Sequence, residues 1–205
     1  MKAYTTVKKE NNAEFVERKS RFIGYACPVK TADEALEFIA KIKAMHKQAT
    51  HNVWCYNLKN GERRYSDDGE PQGTAGVPSL DVLIKANVVD VAVVVTRYFG
   101  GILLGGGGLV RAYSHATTLA IDSAKVITMA PCVDFEIKCD YNFYGKLSYA
   151  LPTLKAKTLS SDFGEDITLT VRLLEEDTDS FVKGIVELSN GTVTPEKINE
   201  LFCEV

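Results

Sequence analysis

The sequence predicts an α+β protein of two domains. Three observations carry this expectation. In residues 1–128, short β-branched or aromatic runs alternate with amphipathic segments. Residues 90–96 (DVAVVVT) are apolar at consecutive positions, as a central strand covered on both faces is. Beyond Pro131 the elements follow the order β-α-β-β-α-β of the ferredoxin-like split βαβ.

In chain order, Tyr4–Val7 and residues 14–18 and 21–28 read as strands, with Lys19-Ser20 as a tight turn. Thr31 caps a helix, and Glu34 completes a capping box. Ala35, Leu36, Phe38, Ile39, Ile42 and Met45 form its apolar face. Residues 53–58 and 62–66 are strands joined by an Asn60-Gly61 turn. A polar loop spans 67–76, and Pro78 opens a helix to about Ala86. A second glycine-rich loop follows the central strand and leads into a helix over 109–124. Glycine usage and charge both change at Met129-Ala130-Pro131, so the expected domains are 1–128 and 129–205. In the second domain, strands are expected at 132–140, 156–163 and 167–174, and helices at 143–151 and 175–188. Residues 192–205 should form the last strand, although Thr194-Pro195-Glu196-Lys197 resembles a helix start.

Composition narrows the function classes. The 205 residues are 45% hydrophobic and 25% charged, ordinary for a globular chain. No apolar run nears the ~20 residues that span a bilayer, and MKAYTTVKKENN has no signal-peptide core. A cytoplasmic protein with no membrane contact is expected. The five cysteines include no C-x-x-C pair, so a disulfide scaffold or zinc ribbon is not expected and most should be buried thiols. His46 and His51 lie five apart, not the four that puts two imidazoles on one helix face. Net charge is −3, which disfavours a strong nucleic-acid binder. Residues 1–128 nevertheless hold 17 basic against 13 acidic residues, and the remainder 7 against 14. An anionic partner would meet the first domain.

Two loops carry the chemistry. In the first, Asp67, Asp68 and Glu70 precede Gln72-Gly73-Thr74. Three carboxylates within four residues could hold Mg²⁺ or supply acid and base; a solvated Asp-Asp-Gly turn fits equally. In the second, Gly105, Gly106, Gly107 and Gly108 precede a helix, so backbone N–H groups could approach an anion. Arg97 and Arg111 flank this loop and could clamp phosphate, while Tyr98 and Phe99 offer stacking faces and Gly101 frees the turn between. Neither a Walker A motif nor a dinucleotide fingerprint fits. His51 precedes a strand and could face the same region; Ser114-His115 diverges on a helix and makes a poor dyad.

These loops resemble the YigZ/IMPACT family. The matching stretches are Lys19-Ser-Arg-Phe-Ile-Gly24, Ala49-Thr-His-Asn52, Asp67-Asp-Gly-Glu-Pro-Gln-Gly-Thr-Ala-Gly-Val-Pro78, Val93-Val-Val-Thr-Arg-Tyr-Phe-Gly-Gly101 and Leu104-Gly-Gly-Gly-Gly-Leu-Val-Arg-Ala-Tyr113. The resemblance implies a first domain like the second domain of a small-subunit ribosomal protein, as in elongation factor G domain IV. It implies a ferredoxin-like second domain, as in elongation factor G domain V. It also implies a link to translation and its control. The resemblance also implies that the scaffold partner of the eukaryotic members engages an extra N-terminal domain, which is not expected here, so that partner is not carried over. The family pattern usually has lysine where Leu103 stands, and its loss here weakens a phosphate-loop reading.

The expected function is therefore translation-associated regulation through RNA or the ribosome, without catalysis or cofactor. Its binding residues would be Arg97, Tyr98, Phe99, Gly101, Gly105–Gly108 and Arg111, beside a cleft of His51, Asp67, Asp68, Glu70 and Thr74. The competing expectation is a Mg²⁺-dependent enzyme acting on a phosphorylated small molecule, with Asp67, Asp68 and Glu70 as ligands.

Overall fold

The computed structural model describes residues 2–205. The first elements are β1 (Tyr4–Val7), β2 (Asn11–Glu17), β3 (Ser20–Pro28), α1 (Ala32–Met45), β4 (His51–Asn57), β5 (Arg63–Ser66), α2 (Gly76–Lys85), β6 (Val91–Tyr98) and α3 (Gly106–Ser123). Then follow β7 (Val126–Cys139), α4 (Tyr141–Ala150), β8 (Lys157–Phe163), β9 (Ile167–Leu174), α5 (Thr178–Leu188) and β10 (Glu196–Glu204). The chain divides into compact units, Tyr4–Thr128 and one holding Met129–Val205. No helix among the described residues is long and apolar enough to cross a membrane.

In the first unit the strand order is β2-β3-β6-β4-β5. Strand β6 pairs antiparallel with both β3 and β4, so those two run parallel to each other with β6 between them. Helix α1 is the crossover that joins them. Val91, Val93 and Val95 face a core shared with Phe22, Val53 and Cys55 and with α2 and α3. Ala92 and Val94 face the opposite core, with Ile23, Tyr25, Tyr56 and α1. The consecutive apolar run thus reflects helices on both faces. The expected cap is present: the Thr31 hydroxyl accepts from the Glu34 N–H, while the Glu34 carboxylate accepts from the N–H of Lys30, one residue before the cap, in place of Thr31's own. Leu36 and Met45 depart from expectation. They are exposed, off the stripe made by Ala35, Phe38, Ile39 and Ile42.

Two local differences matter for the site. The β2–β3 turn is Arg18-Lys19, one residue earlier than expected, and both residues have positive φ (46° and 64°). Asn-Gly adopts such a turn at little cost, whereas two long cationic side chains do not. On β3, a Cβ at Gly24 would lie 2.4 Å from the Ala116 carbonyl oxygen, so only glycine lets α3 settle against the sheet.

The second unit has strand order β10-β7-β9-β8, antiparallel throughout, with α4 and α5 packed on one face. Pro131 lies inside β7, opposite Phe202, and the chain runs through the expected boundary as continuous strand. The C-terminal segment is a strand despite its local helix-start signal, because pairing with β7 satisfies its backbone. Although no disulfide scaffold was expected, Cys132 and Cys203 form a disulfide. Leu201 lies opposite Cys132 and Cys203 opposite Ala130, which sets the two cysteines 6.1 Å apart at Cα, within disulfide range. Seventy-one residues of separation conceal this adjacency in the sequence. Cys27, Cys55 and Cys139 are free, and burial raises the Cys27 thiol to about 11.

Candidate functional site

The 67–76 loop folds back over the ends of β4 and β6, and each acidic side chain has a protein partner. The Asp67 carboxylate accepts from the N–H groups of Gly73, Ala75 and Gly76 at 3.0, 3.1 and 2.8 Å. It caps α2 from nine residues upstream, which is why the helix starts at Gly76 and not at Pro78. Asp68 bridges the Asn52 N–H and Lys43 Nζ, both at 2.7 Å. Glu70 turns inward. It is 7% exposed, its Oε1 lies 2.6 Å from Arg97 Nη1, and it accepts from the Tyr113 hydroxyl at 2.7 Å. His51 Nδ1 meets the Asp68 carbonyl at 2.8 Å and Nε2 lies 3.8 Å from Glu70. Burial first, then the charge of Glu70, push the Tyr113 hydroxyl far above its usual range, so it stays a donor.

His51, Asp67, Asp68, Glu70 and Arg97 therefore gather in one place. Thr74 joins them at the surface: its methyl carbon is 3.8 Å from where a Gly106 Cβ would stand, so the two glycine-rich loops meet. The carboxylates do not form a metal centre. They point to separate donors, and no group of three metal-ligating side chains exists among the described residues.

The glycine loop differs from expectation in its division of labour. Helix α3 begins at Gly106, not Leu109, with Gly105 (φ +73°) at the cap position. No side chain caps this end and no acidic residue lies in its first turn. Gly105, Gly106 and Gly107 are exposed, Gly108 is half-buried, and Gly101 (φ +82°) is an exposed turn. The Arg111 guanidinium lies over the first turn, 3.7 Å from a Cβ at Gly107. Phe99, at 45% exposed, keeps an open face. Arg97 and Tyr98 do not. Arg97 is 5% exposed, held by Glu70 and stacked near Phe22 and Phe99. Tyr98 packs on the α1 core, its hydroxyl 2.9 Å from His46 Nδ1. Alternation along β6 turns the two side chains to opposite faces, Arg97 to Glu70 and Tyr98 to His46.

A model described as Impact N-terminal domain matches residues 18–121, and one described as Domain of unknown function (DUF1949) matches residues 137–192. IMPACT family member YvyE of Bacillus subtilis is 39% identical over 191 residues, 92% of this chain and 88% of its own. The chain belongs to the IMPACT family. IMPACT family member YigZ of Escherichia coli is 31% identical, over 89% of this chain and 92% of its own. A crystal structure described as that of a hypothetical protein superposes with a TM-score of 0.61 at 28% identity, covering 97% of this chain and 98% of that one.

Sequence reasoning about this IMPACT family chain missed Tyr113 as the second partner of Glu70. It also missed Arg18 and His115, which share the surface with Arg111. Arg111 and His115 are four apart on one helix face, a signal that was available.

One half-buried network predicts a pH dependence. His46 sits between two hydroxyls, with Tyr25 Oη 2.6 Å from Nε2 and Tyr98 Oη 2.9 Å from Nδ1. Burial, then the charge of Arg21, holds its pKa below the usual histidine value. The unfolded chain therefore binds this proton more readily, and the stabilisation present above pH ~6.5 is lost as pH falls below it. Urea melts should show stability falling between pH 7.5 and 5.5. His46→Gln should flatten that slope; an unchanged slope would remove His46 as its source.

Proposed function

We propose that this protein is a translation-associated regulator that binds RNA or the ribosome through the surface around the α3 N-terminus, without catalysis. The observation that carries the reading is the exposed glycine turn of α3 with Arg111 laid across it; Phe99, in the same loop region of the chain, adds an open ring face. Unpaired helix N–H groups and a guanidinium suit phosphate, and an exposed ring suits an unpaired base. The excess of basic residues in 1–128 agrees. Family membership and the translation link implied for its members support the reading. The β-α-β-β-α-β order and β10-β7-β9-β8 sheet support a ferredoxin-like second unit of the elongation factor G kind.

The test is single-stranded RNA binding across a salt series. Arg97 is committed to Glu70, so the engaged cations are Arg111, Arg18 and Lys19. Three contacts at ~0.7 each predict a slope of about −2 in log K against log salt. Arg18→Ala with Arg111→Ala should flatten it by ~1.4. Phe99→Ala should weaken binding by ~1–3 kcal/mol with the slope unchanged. No binding at ~50 mM salt by the unaltered protein would remove the RNA reading.

A further inference from the structure

We propose that the groove between β2 and α3 is a pocket for one phosphate-bearing nucleotide, an inference that rests on the RNA-binding reading and names a subsite within that surface. The groove is a cavity of about 270 Å³ lined by Phe15, Glu17, Arg18, Leu104, Arg111 and His115. That is close to the lower bound of small-ligand pockets, the scale of a single small ligand. Two guanidinium groups enter from different elements. Arg111 comes from the first turns of α3 and forms no ion pair among the described residues. Arg18 comes from the β2–β3 turn, where its Nη1 donates to the Leu103 carbonyl at a long 3.4 Å, leaving its other donors for a ligand. Together they offer the forked donor set that suits phosphate oxygens.

The rest of the lining suits a base and a sugar. The His115 ring meets Phe15 edge-on, 4.7 Å between centroids and 71° between planes, and Phe15 is itself stacked on Phe22 at 5.2 Å. This braced pair leaves the exposed imidazole as a flat wall for a base. Leu104 supplies an apolar surface beside it. Glu17 is the single carboxylate in the groove, an acceptor for ribose hydroxyls or base N–H groups that repels a second phosphate. An anion without a ring would use the guanidinium groups and leave the aromatic wall unused.

The test is an NMR titration of the full chain with adenosine 5′-monophosphate, with inorganic phosphate and with adenosine, beside a 5′-phosphorylated single-stranded RNA. The monophosphate should saturate and shift the His115 ring signals, and should bind more tightly than phosphate or adenosine alone. Arg18→Ala should weaken it about tenfold, the loss of one charge-assisted hydrogen bond, and His115→Ala at least about fivefold. Melting curves check that each variant is folded. Equal binding of monophosphate and inorganic phosphate, or unaltered affinity in both folded variants, would overturn the pocket. If RNA binds while the monophosphate does not, the subsite fails and the RNA reading stands. If the monophosphate binds while RNA does not, the pocket stands and the RNA reading fails.

Discussion

Replacing Glu70 with alanine should destabilise the first unit by about 3–5 kcal/mol, read as a shift in the urea midpoint. Glu70 and Arg97 are 7% and 5% exposed, so removing the carboxylate leaves a guanidinium in the interior with no counter-charge. It also strips the Tyr113 hydroxyl of its acceptor. Glu70→Leu combined with Arg97→Met should recover much of the loss, because a well-packed apolar pair avoids the desolvation cost of both ions. A loss below about 1 kcal/mol in the single variant would mean that water reaches the pair. The same experiment bears on function. The pair fastens the acidic loop to β6 and α3, so RNA affinity should fall in Glu70→Ala only in step with unfolding.

Reducing the Cys132–Cys203 disulfide should lower the stability of the second unit by about 4 kcal/mol, the chain-entropy value for a closed loop of 71 residues. Denaturant melts with and without dithiothreitol measure it, and Cys203→Ser should reproduce the reduced curve. The effect should be concentrated in the second unit, because both cysteines lie in its sheet. If the reductant leaves the melt of the unaltered protein unchanged, the cross-link does not constrain the unfolded chain.

The sequence exposed the elements better than their roles. The run around Val93 and Val94 announced a strand covered on both faces, since no half-solvated strand tolerates consecutive valines. Thr31 and Glu34 announced the start of α1. Arg97 and Tyr98 read as surface groups because a cation and a phenol stand at the end of a buried strand. Only the partners show otherwise, Glu70 at 27 residues' distance and His46 at 52. The acidic loop was legible as a place where groups converge, but not as a set of caps and pairs, because which donor each carboxylate meets depends on tertiary approach. The cysteine pair failed for the same reason: the register that joins β7 to β10 is nowhere local.

The placement of β6 between β3 and β4 has a kinetic consequence. Two parallel strands with a gap of one strand are roughly 9.6 Å apart, twice the ordinary spacing, and cannot hydrogen-bond to each other. The crossover of β3, α1 and β4 therefore has no sheet of its own until β6, more than thirty residues after β4, slides into the slot. The second unit is built alike, with β9 filling the space between β7 and β8. Each unit must thus close long loops before its ladder forms, which places its folding with the slower, high-contact-order domains, in roughly milliseconds to seconds. A nascent chain ending near Asp90 would carry α1 with the inner edges of β3 and β4 both unpaired, a species open to pairing with other chains until the valine strand arrives.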